Sequence, residues 1–415
     1  MNNFFLYIDP GTGSMLFSIF IGVATTLYFV LKAVFIKFKF LFTAKKDDKT
    51  TASKASIVIY NEGKQYCSLF HPILREFEKR KQPVLYLTSY EEDLYLTEKS
   101  EFVTSEFIGK GNKAFAKLNF LSCDVLLMTT PGLDVYQLKK VKTVKHYSHI
   151  LHAPVDATSY RLFGLDYFDS VLLTGDYQKK DIQYLEKLRN LKEKELITVG
   201  CPYLDEAEKN ISKYERTDDF TVLVSPTWGP SGLLSRFGDS LLEALGKTGW
   251  KVIVRPHPQS KTSESELLEK LSEKYKDNKN IIWDYEKDNM IAMAKSNIMI
   301  SDFSGIIYDY AFLFNNPILY VDVNFDKTPY DLDDLPNEGW LFTALDNIGI
   351  KLLQADFPSI KEIVEKTVFD EKLIENRLKS KDTAWMFRGE SSIRVVDYLT
   401  KKLKEINNNE TDIRK

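Results

Sequence analysis

Residues 298–322 read IMISDFSGIIYDYAFLFNNPILYVD, and this stretch decides the fold. The short apolar run 298–301 predicts a strand. Ser301, Asp302, Ser304 and Gly305 then form a turn that opens a helix over 306–315, and 318–321 predicts a second strand. A strand, a helix and a strand in 25 residues make one βαβ unit. Strands that are apolar throughout belong to a parallel sheet covered by helices on both faces.

The same alternation extends in both directions. Towards the amino terminus, strands are predicted at 222–225, 252–255 and 281–283, with helices at 239–247, 264–276 and 289–295. A polar stretch at 212–219 interrupts the pattern. Before it, strands are predicted at 56–60, 84–88, 125–129, 171–174 and 197–199, with helices at 64–80, 112–122 and 179–192. The expectation is an α/β protein with two Rossmann-like domains facing a cleft. Its parts are an anchor and basic linker at 1–50, a domain at 51–215, a domain at 216–385, and a terminal helix and tail at 386–415.

Composition excludes several classes. The chain has 415 residues, 44% hydrophobic and 28% charged, with 56 basic and 59 acidic side chains and a net charge of −3. These values do not fit a disordered tail, a collagen repeat or a disulfide-stapled secreted domain. No basic field is present of the kind that holds duplex DNA, so no nucleic-acid partner is expected. Cys67, Cys123 and Cys201 are odd in number and far apart, which fits a reducing compartment and no structural zinc.

The first forty residues differ from the rest. From 10 to 31 there is no charged side chain, and 22 residues at about 1.5 Å each reach about 33 Å, enough for a hydrocarbon core. The exit carries Lys32, Lys37, Lys39, Lys45, Lys46 and Lys49, while the entry holds Asp9 and no basic residue. The expectation is a single-pass anchor in the cytoplasmic membrane, with Met1 outside and the α/β domains in the cytoplasm. Residues 45–54 read as a polar linker.

Ligands of parallel sheets bind beyond the carboxyl ends of strands, so motifs there matter most. RPHP at 255–258 follows a strand directly, and its two prolines present His257 at the strand edge. The turn Ser301, Asp302, Phe303, Ser304, Gly305 opens a helix whose free amides and dipole suit a phosphate; the same residues also serve as ordinary caps. HYSHILHAP at 146–154 contains three of the five histidines, and His146 and His149 on a strand point to opposite faces. No cysteine or acidic cluster completes a metal shell there, so a general base is the better reading. His71 reads as structural. Weaker signals are the Gly/Pro-rich loop 226–232 and RGESS at 388–392, where Ser391 and Ser392 precede a terminal helix.

Together these residues resemble the CDP-glycerol glycerophosphotransferase family, the wall teichoic acid primases and polymerases. VIVRPHP (252–258), ISDFSGIIYDYAFLFNNPILYVD (300–322) and RGESSIRVVDYL (388–399) carry the resemblance, with support from FDSVLLTGDYQKKDI (168–182) and ITVGCPYLD (197–205). The resemblance implies a GT-B type fold. It also implies transfer of glycerol phosphate, or a related alditol phosphate, from a CDP-linked donor to a lipid-linked or glycan hydroxyl, with release of CMP. By the same likeness His257 lies near the donor phosphates, and Arg255, Ser301, Asp302, Ser304, Gly305, Ser391 and Ser392 serve the donor site. The family's base lies in an H-G-T-P-L-K motif; the matching stretch here is HAPVDAT, which makes His152 the first choice and His149 the second. The glycine and lysine of that motif are absent. No cofactor is called for, and no sequence pattern indicates magnesium. Two other classes remain open on the residues: a nucleotide-sugar glycosyltransferase or epimerase with two Rossmann-like domains, and an inert anchored binding module.

Overall fold

The computed structural model describes residues 25–28, 31, 55–321 and 325–413. The chain divides into two compact units, Met1–Lys54 and Ala55–Lys415. The described residues of the first unit are helical. The predicted membrane span at 10–31 lies outside the described residues apart from those few positions. Among the described residues no helix is long and apolar enough to cross a membrane.

The second unit holds two parallel sheets. The first contains β1 (Ala55–Asn61), β2 (Val84–Thr88), β3 (Val103–Phe107), β4 (Cys123–Met128), β5 (Val144–Ile150), β6 (Ser170–Leu173) and β7 (Glu195–Thr198), in the order β3-β2-β1-β4-β5-β6-β7. The second contains β8 (Thr221–Val224), β9 (Lys251–Val254), β10 (Ile281–Trp283), β11 (Ile298–Ser301), β12 (Ile318–Val321) and β13 (Gly349–Leu352), in the order β10-β9-β8-β11-β12-β13. Both orders reverse direction at their first strand. The switch points therefore fall between β1 and β4 and between β8 and β11.

Strands β3 and β13 were not anticipated. Both are edge strands: β3 reads VTSEF, with only Val103 fully buried, and β13 opens on Gly349. An edge strand pairs on one side and shows half its face to water, so its apolar signal is diluted. Gly349 is required by close approach, because a Cβ there would sit 2.3 Å from the Ile318 carbonyl oxygen.

Helix α1 (Cys67–Lys79) follows β1, α2 (Lys179–Leu188) follows β6, and α3 (Pro202–Asn210) follows β7. Helix α4 (Leu233–Gly246) follows β8, and α5 (Ile306–Phe314) follows β11. Helix α5 is apolar almost all round and buries Ile307, Tyr308, Tyr310, Ala311, Phe312, Leu313 and Phe314, as a helix enclosed on every side must. It stops at Asn315 in the left-handed conformation, whose carbonyl and side-chain oxygens accept from the buried Arg377 guanidinium at 2.9 and 3.2 Å.

After α6 (Glu371–Ala384) the chain returns to the first sheet as α7 (Ser391–Ile413). Val395, Val396 and Leu399 pack there with Ile57, Ile59, Val125 and Leu127. Each domain thus contributes to the other's packing: Cys201 and Leu204 share a core with Tyr308, Ala384 and Trp385. A strap at 325–343 adds polar ties. The amide of Leu341 donates to Asp156 at 2.7 Å, and Asp331 accepts from the amides of Phe163 and Gly164 at 2.8 and 3.2 Å.

Candidate active site

The loops at the two switch points line a cleft of about 1090 Å3. The first domain contributes Lys64, Gln65 and Ser68, from the end of β1 and the start of α1. The second contributes Ser225 and Pro226 after β8, 255–258 after β9, 284–287 after β10, and Ser304, Gly305, Ile306 and Asp309 at the start of α5. Lys64, Lys261 and Lys287 bring positive charge to the walls. Tyr285 is 43% exposed in the wall, with the Lys261 ammonium 4.6 Å from its ring centre.

His257 lines the cleft, and its Nδ1 accepts from the Gln259 amide at 3.1 Å. A neutral imidazole that accepts at Nδ1 carries its proton on Nε2, so the ring presents an N–H donor to a ligand. Burial lowers its pKa, while Glu264 acts in the opposite direction. Arg255 also lines the cleft, but its guanidinium is engaged: it donates to Asp284 at 2.6 Å and to the Glu286 carbonyl at 2.7 Å. Its role is to hold the 284–287 loop against the wall.

The turn before α5 divides its work. Ser304 and Gly305 are in the wall; the Ile307 and Tyr308 amides donate to the Ser304 and Gly305 carbonyls at 3.2 Å, so the Gly305 and Ile306 amides lie ahead of the helical ladder. Ser301 is fully buried and donates to the Ser225 carbonyl at 2.6 Å, tying β11 to β8. Asp302 is 1% exposed and accepts from the amides of Thr227 and Leu233 at 2.9 and 3.0 Å. It shapes the 226–232 loop and caps α4. Neither residue is among those lining the cleft.

Gly305 has an ordinary helical conformation, φ −59°. A Cβ there would meet only Val155 Cγ1, at 4.0 Å. Neither strain nor crowding in the protein calls for glycine, and the space a Cβ would take is open beside the cleft wall. Gly305→Ala is expected to leave urea stability within about 1 kcal/mol and to raise the donor KM at least roughly 10-fold. An unchanged KM would remove Gly305 from the phosphate seat.

Ser391 and Ser392 lie elsewhere. The amino end of α7 is held by Asp205, which accepts from Trp385 Nε1 at 2.8 Å, Gly389 N at 2.9 Å and Ser391 N at 3.0 Å. Ser391 is fully buried against Gly200, and neither serine lines the cleft. A carboxylate from the neighbouring helix supplies the anion that the free amides attract.

The histidines separate into three environments. His146 is buried, and its Nε2 meets Ser170 Oγ at 3.0 Å and Tyr398 Oη at 3.1 Å, which ties α7 to the sheet. His149 is fully buried at the end of β5, with Nε2 3.1 Å from Tyr160 Oη. His152 is partly exposed just beyond β5, with Nδ1 3.3 Å from both Thr129 Oγ1 and Tyr160 Oη and the Tyr66 ring edge-on at 5.2 Å. Burial holds both rings neutral: His149 is lowered to about 3, with a further contribution from His152, and His152 is lowered to about 4. Val155, three residues on, packs against Gly305, so the His152 loop meets the start of α5, while neither His149 nor His152 is among the residues lining the cleft.

His71 belongs to a second cluster, with Cys67 and Asp93. Asp93 accepts from His71 Nε2 at 2.9 Å, Tyr86 Oη at 2.6 Å, Thr88 Oγ1 at 3.1 Å, Asn61 Nδ2 at 3.3 Å and the Tyr95 amide at 3.3 Å. These donors fill the carboxylate's lone pairs. Burial and the Asp93 charge push the Cys67 thiol up to about 12, so it stays protonated. The cluster is a tie between β1, α1 and the loop after β2.

Asp309, within the quoted stretch 300–322, is not among the predicted site residues. It lines the cleft one turn into α5 and accepts from Tyr203 Oη at 3.0 Å. Burial pushes its carboxyl up to about 7, against the lowering effect of that hydrogen bond. Its folded pKa exceeds its ordinary value of 3.8, so between about 4 and 7 the folded state holds a proton that the unfolded state has lost. Stability from this group is therefore full below about 4, falls as pH rises to about 7, and is flat above. Asp309→Asn is expected to gain on the parent between pH 4 and pH 8, by on the order of 1–2 kcal/mol after allowance for solvent in the cleft. Parallel urea titrations check this; a constant difference across that range would contradict it.

Residues 166–334 match the profile of the family described as CDP-Glycerol:Poly(glycerophosphate) glycerophosphotransferase. Over these residues the chain is similar to that family. The matched stretch contains His257, Ser304, Gly305 and Asp309 and ends short of His149 and His152 on the amino-terminal side. The protein is accordingly a CDP-glycerol glycerophosphotransferase-like enzyme. No curated protein matches. Among solved structures, a wall teichoic acid polymerase TagF aligns with TM-score 0.53 and 16% identity, covering 85% of this chain and 90% of that one. A UDP-GlcNAc 2-epimerase from Methanocaldococcus jannaschii, in complex with UDP-GlcNAc and UDP, aligns with TM-score 0.55 and 14% identity, covering 84% and 99%. A further UDP-N-acetylglucosamine 2-epimerase reaches TM-score 0.58 at 12% identity, covering 83% and 95%. These likenesses establish a GT-B-like α/β fold with two parallel sheets and do not choose between the chemistries.

Proposed function

We propose that this enzyme transfers glycerol phosphate, or a related alditol phosphate, from a CDP-linked donor to a hydroxyl of a membrane-bound or glycan acceptor, and that it serves cell-surface polymer biosynthesis. The observation that carries the reading is that Val155, in the His152 loop, packs against Gly305 at the helix start that lines the cleft. On one side is a glycine-opened helix start beside His257; on the other is a neutral imidazole. The family match over the donor-side residues supports the CDP-linked donor.

In this reading the donor's diphosphate rests on the amides at Gly305 and Ile306 and takes a hydrogen bond from His257 Nε2–H. Lys64, Lys261 and Lys287 offset its charge. The acceptor oxygen attacks the β-phosphorus in line, His152 Nε2 takes the hydroxyl proton, and the bridging P–O bond breaks to release CMP. Bound diphosphate raises the proton affinity of His152, opposing the effect of burial. The uncharged run at 10–31 and the lysines that follow it support a membrane anchor that keeps the enzyme beside a lipid-linked acceptor.

The test is a donor screen on the full chain, with CDP-glycerol, CDP-ribitol and UDP-GlcNAc each offered with a lipid-linked or glycan acceptor. CMP release from a CDP-alditol, dependent on acceptor, is the expected result. UDP-GlcNAc turnover without CMP release would replace this reading with an epimerase or sugar transferase.

A further inference from the structure

Two hydroxyl oxygens contact His152 Nδ1. Tyr160 Oη lies 3.3 Å from His152 Nδ1 and 3.1 Å from His149 Nε2, so one hydroxyl bridges two imidazoles. Thr129 Oγ1 also lies 3.3 Å from His152 Nδ1. The hydroxyl has one proton and can donate it to only one ring. The two directions of this chain give His152 opposite chemistry. If Tyr160 donates to His152, the ring proton sits on Nε2 and the side facing away from the chain is a donor. If Tyr160 donates to His149, His152 keeps its proton on Nδ1 and its Nε2 is a bare base.

The local geometry favours the second direction. A bare Nδ1 accepts one hydrogen bond, yet two hydroxyl oxygens stand at the same 3.3 Å from it. An Nδ1–H shared between two oxygens gives such equal and slightly long distances, as three-centre bonds do. The shorter 3.1 Å contact is then the Tyr160 hydroxyl donating to the fully buried His149. In this direction His149 carries its own proton on Nδ1, which is buried without a hydrogen-bond partner, and that desolvated N–H is the cost of the arrangement.

We propose that Tyr160 is a positioning residue that receives the Nδ1 proton of His152, passes its own to His149, and so holds His152 in the tautomer with Nε2 bare. This rests on the reading of His152 as the base. Proton transfer then needs no rearrangement. The acceptor hydroxyl gives its proton to Nε2, the resulting imidazolium keeps its Nδ1–H on Tyr160 and Thr129, and no proton leaves the chain. Tyr160 is itself held in register, because its carbonyl accepts from the Asp331 amide at 3.0 Å.

The test is 15N NMR of histidine-labelled full-length protein at pH 7.5, with the His152 signals assigned by their loss in His152→Asn. The expected result is a protonated Nδ1 and an unprotonated Nε2 for His152. A protonated Nε2 would overturn the proposal. In Tyr160→Phe the His152 signals should shift towards a mixture of tautomers, and kcat should fall roughly 10- to 100-fold with donor KM unchanged. An unaltered tautomer in Tyr160→Phe would also overturn it. The tautomer is read without turnover, so the two ideas fail separately: a fully active His152→Asn removes the base and leaves the hydrogen-bond chain standing.

Discussion

His152→Asn will lower turnover roughly 10²- to 10⁴-fold and leave donor KM within a few-fold of the parent. Asparagine keeps a polar group near Thr129 and Tyr160 but has no nitrogen that takes a proton at neutral pH. The groups proposed to grip the donor, at His257 and the start of α5, are on the other domain, so binding is expected to survive. Stability also survives, because the ring is partly exposed and its contacts at 3.3 Å are long. The measurement is CMP release with saturating acceptor, alongside urea unfolding. Turnover within about threefold of the parent would show that another group removes the proton.

Arg189→Leu will cost roughly 3–5 kcal/mol of stability, the largest single loss expected from a side chain outside the apolar core. The guanidinium is 10% exposed and donates to Asp166 at 2.8 Å, Asp331 at 2.6 Å and Asp334 at 2.7 Å. Asp166 and Asp331 are themselves almost fully buried. Leucine fills much of the space but leaves two buried carboxyls without their cation. The cost is that of stranded charge and exceeds the net value of the ion pairs. Asp331 also joins the 325–343 strap to the first domain, through the Phe163 and Gly164 amides and the Tyr160 carbonyl. The variant should therefore lose activity ahead of global unfolding, as the loop that carries Tyr160 loosens. Urea unfolding followed by tryptophan fluorescence reads the stability, and a loss under about 1 kcal/mol would contradict the argument.

Local pattern made most of the fold legible. Strands β2, β11 and β12 begin and end where the apolar runs do, because a strand buried on both faces has almost no polar residue inside it. RPHP and the SDFSG turn were legible as site elements, since each directly follows such a strand. Their internal division of labour was not. Arg255, Ser301 and Asp302 have the chemistry of ligands for a diphosphate or a hydroxyl, yet Asp284, the Ser225 carbonyl and the Thr227 and Leu233 amides claim them first. Those partners are 29 to 76 residues away in sequence. Lys64 and Gln65 sit at a switch point, a signal the strand order would have supplied, but pairing order is not written in local pattern.

By itself the sequence determined the alternation of strands and helices, the two α/β halves and the donor-side motifs, because periodicity and turn chemistry act over a few residues. Only the tertiary structure decided which polar side chains remain free for a ligand. It turned Ser391 towards Gly200 and the start of α7 towards Asp205, drew His146 into a structural tie, and set Tyr160 between His149 and His152. The physical reason is that a buried polar group takes the nearest compatible partner, and which partner is nearest depends on how distant segments pack.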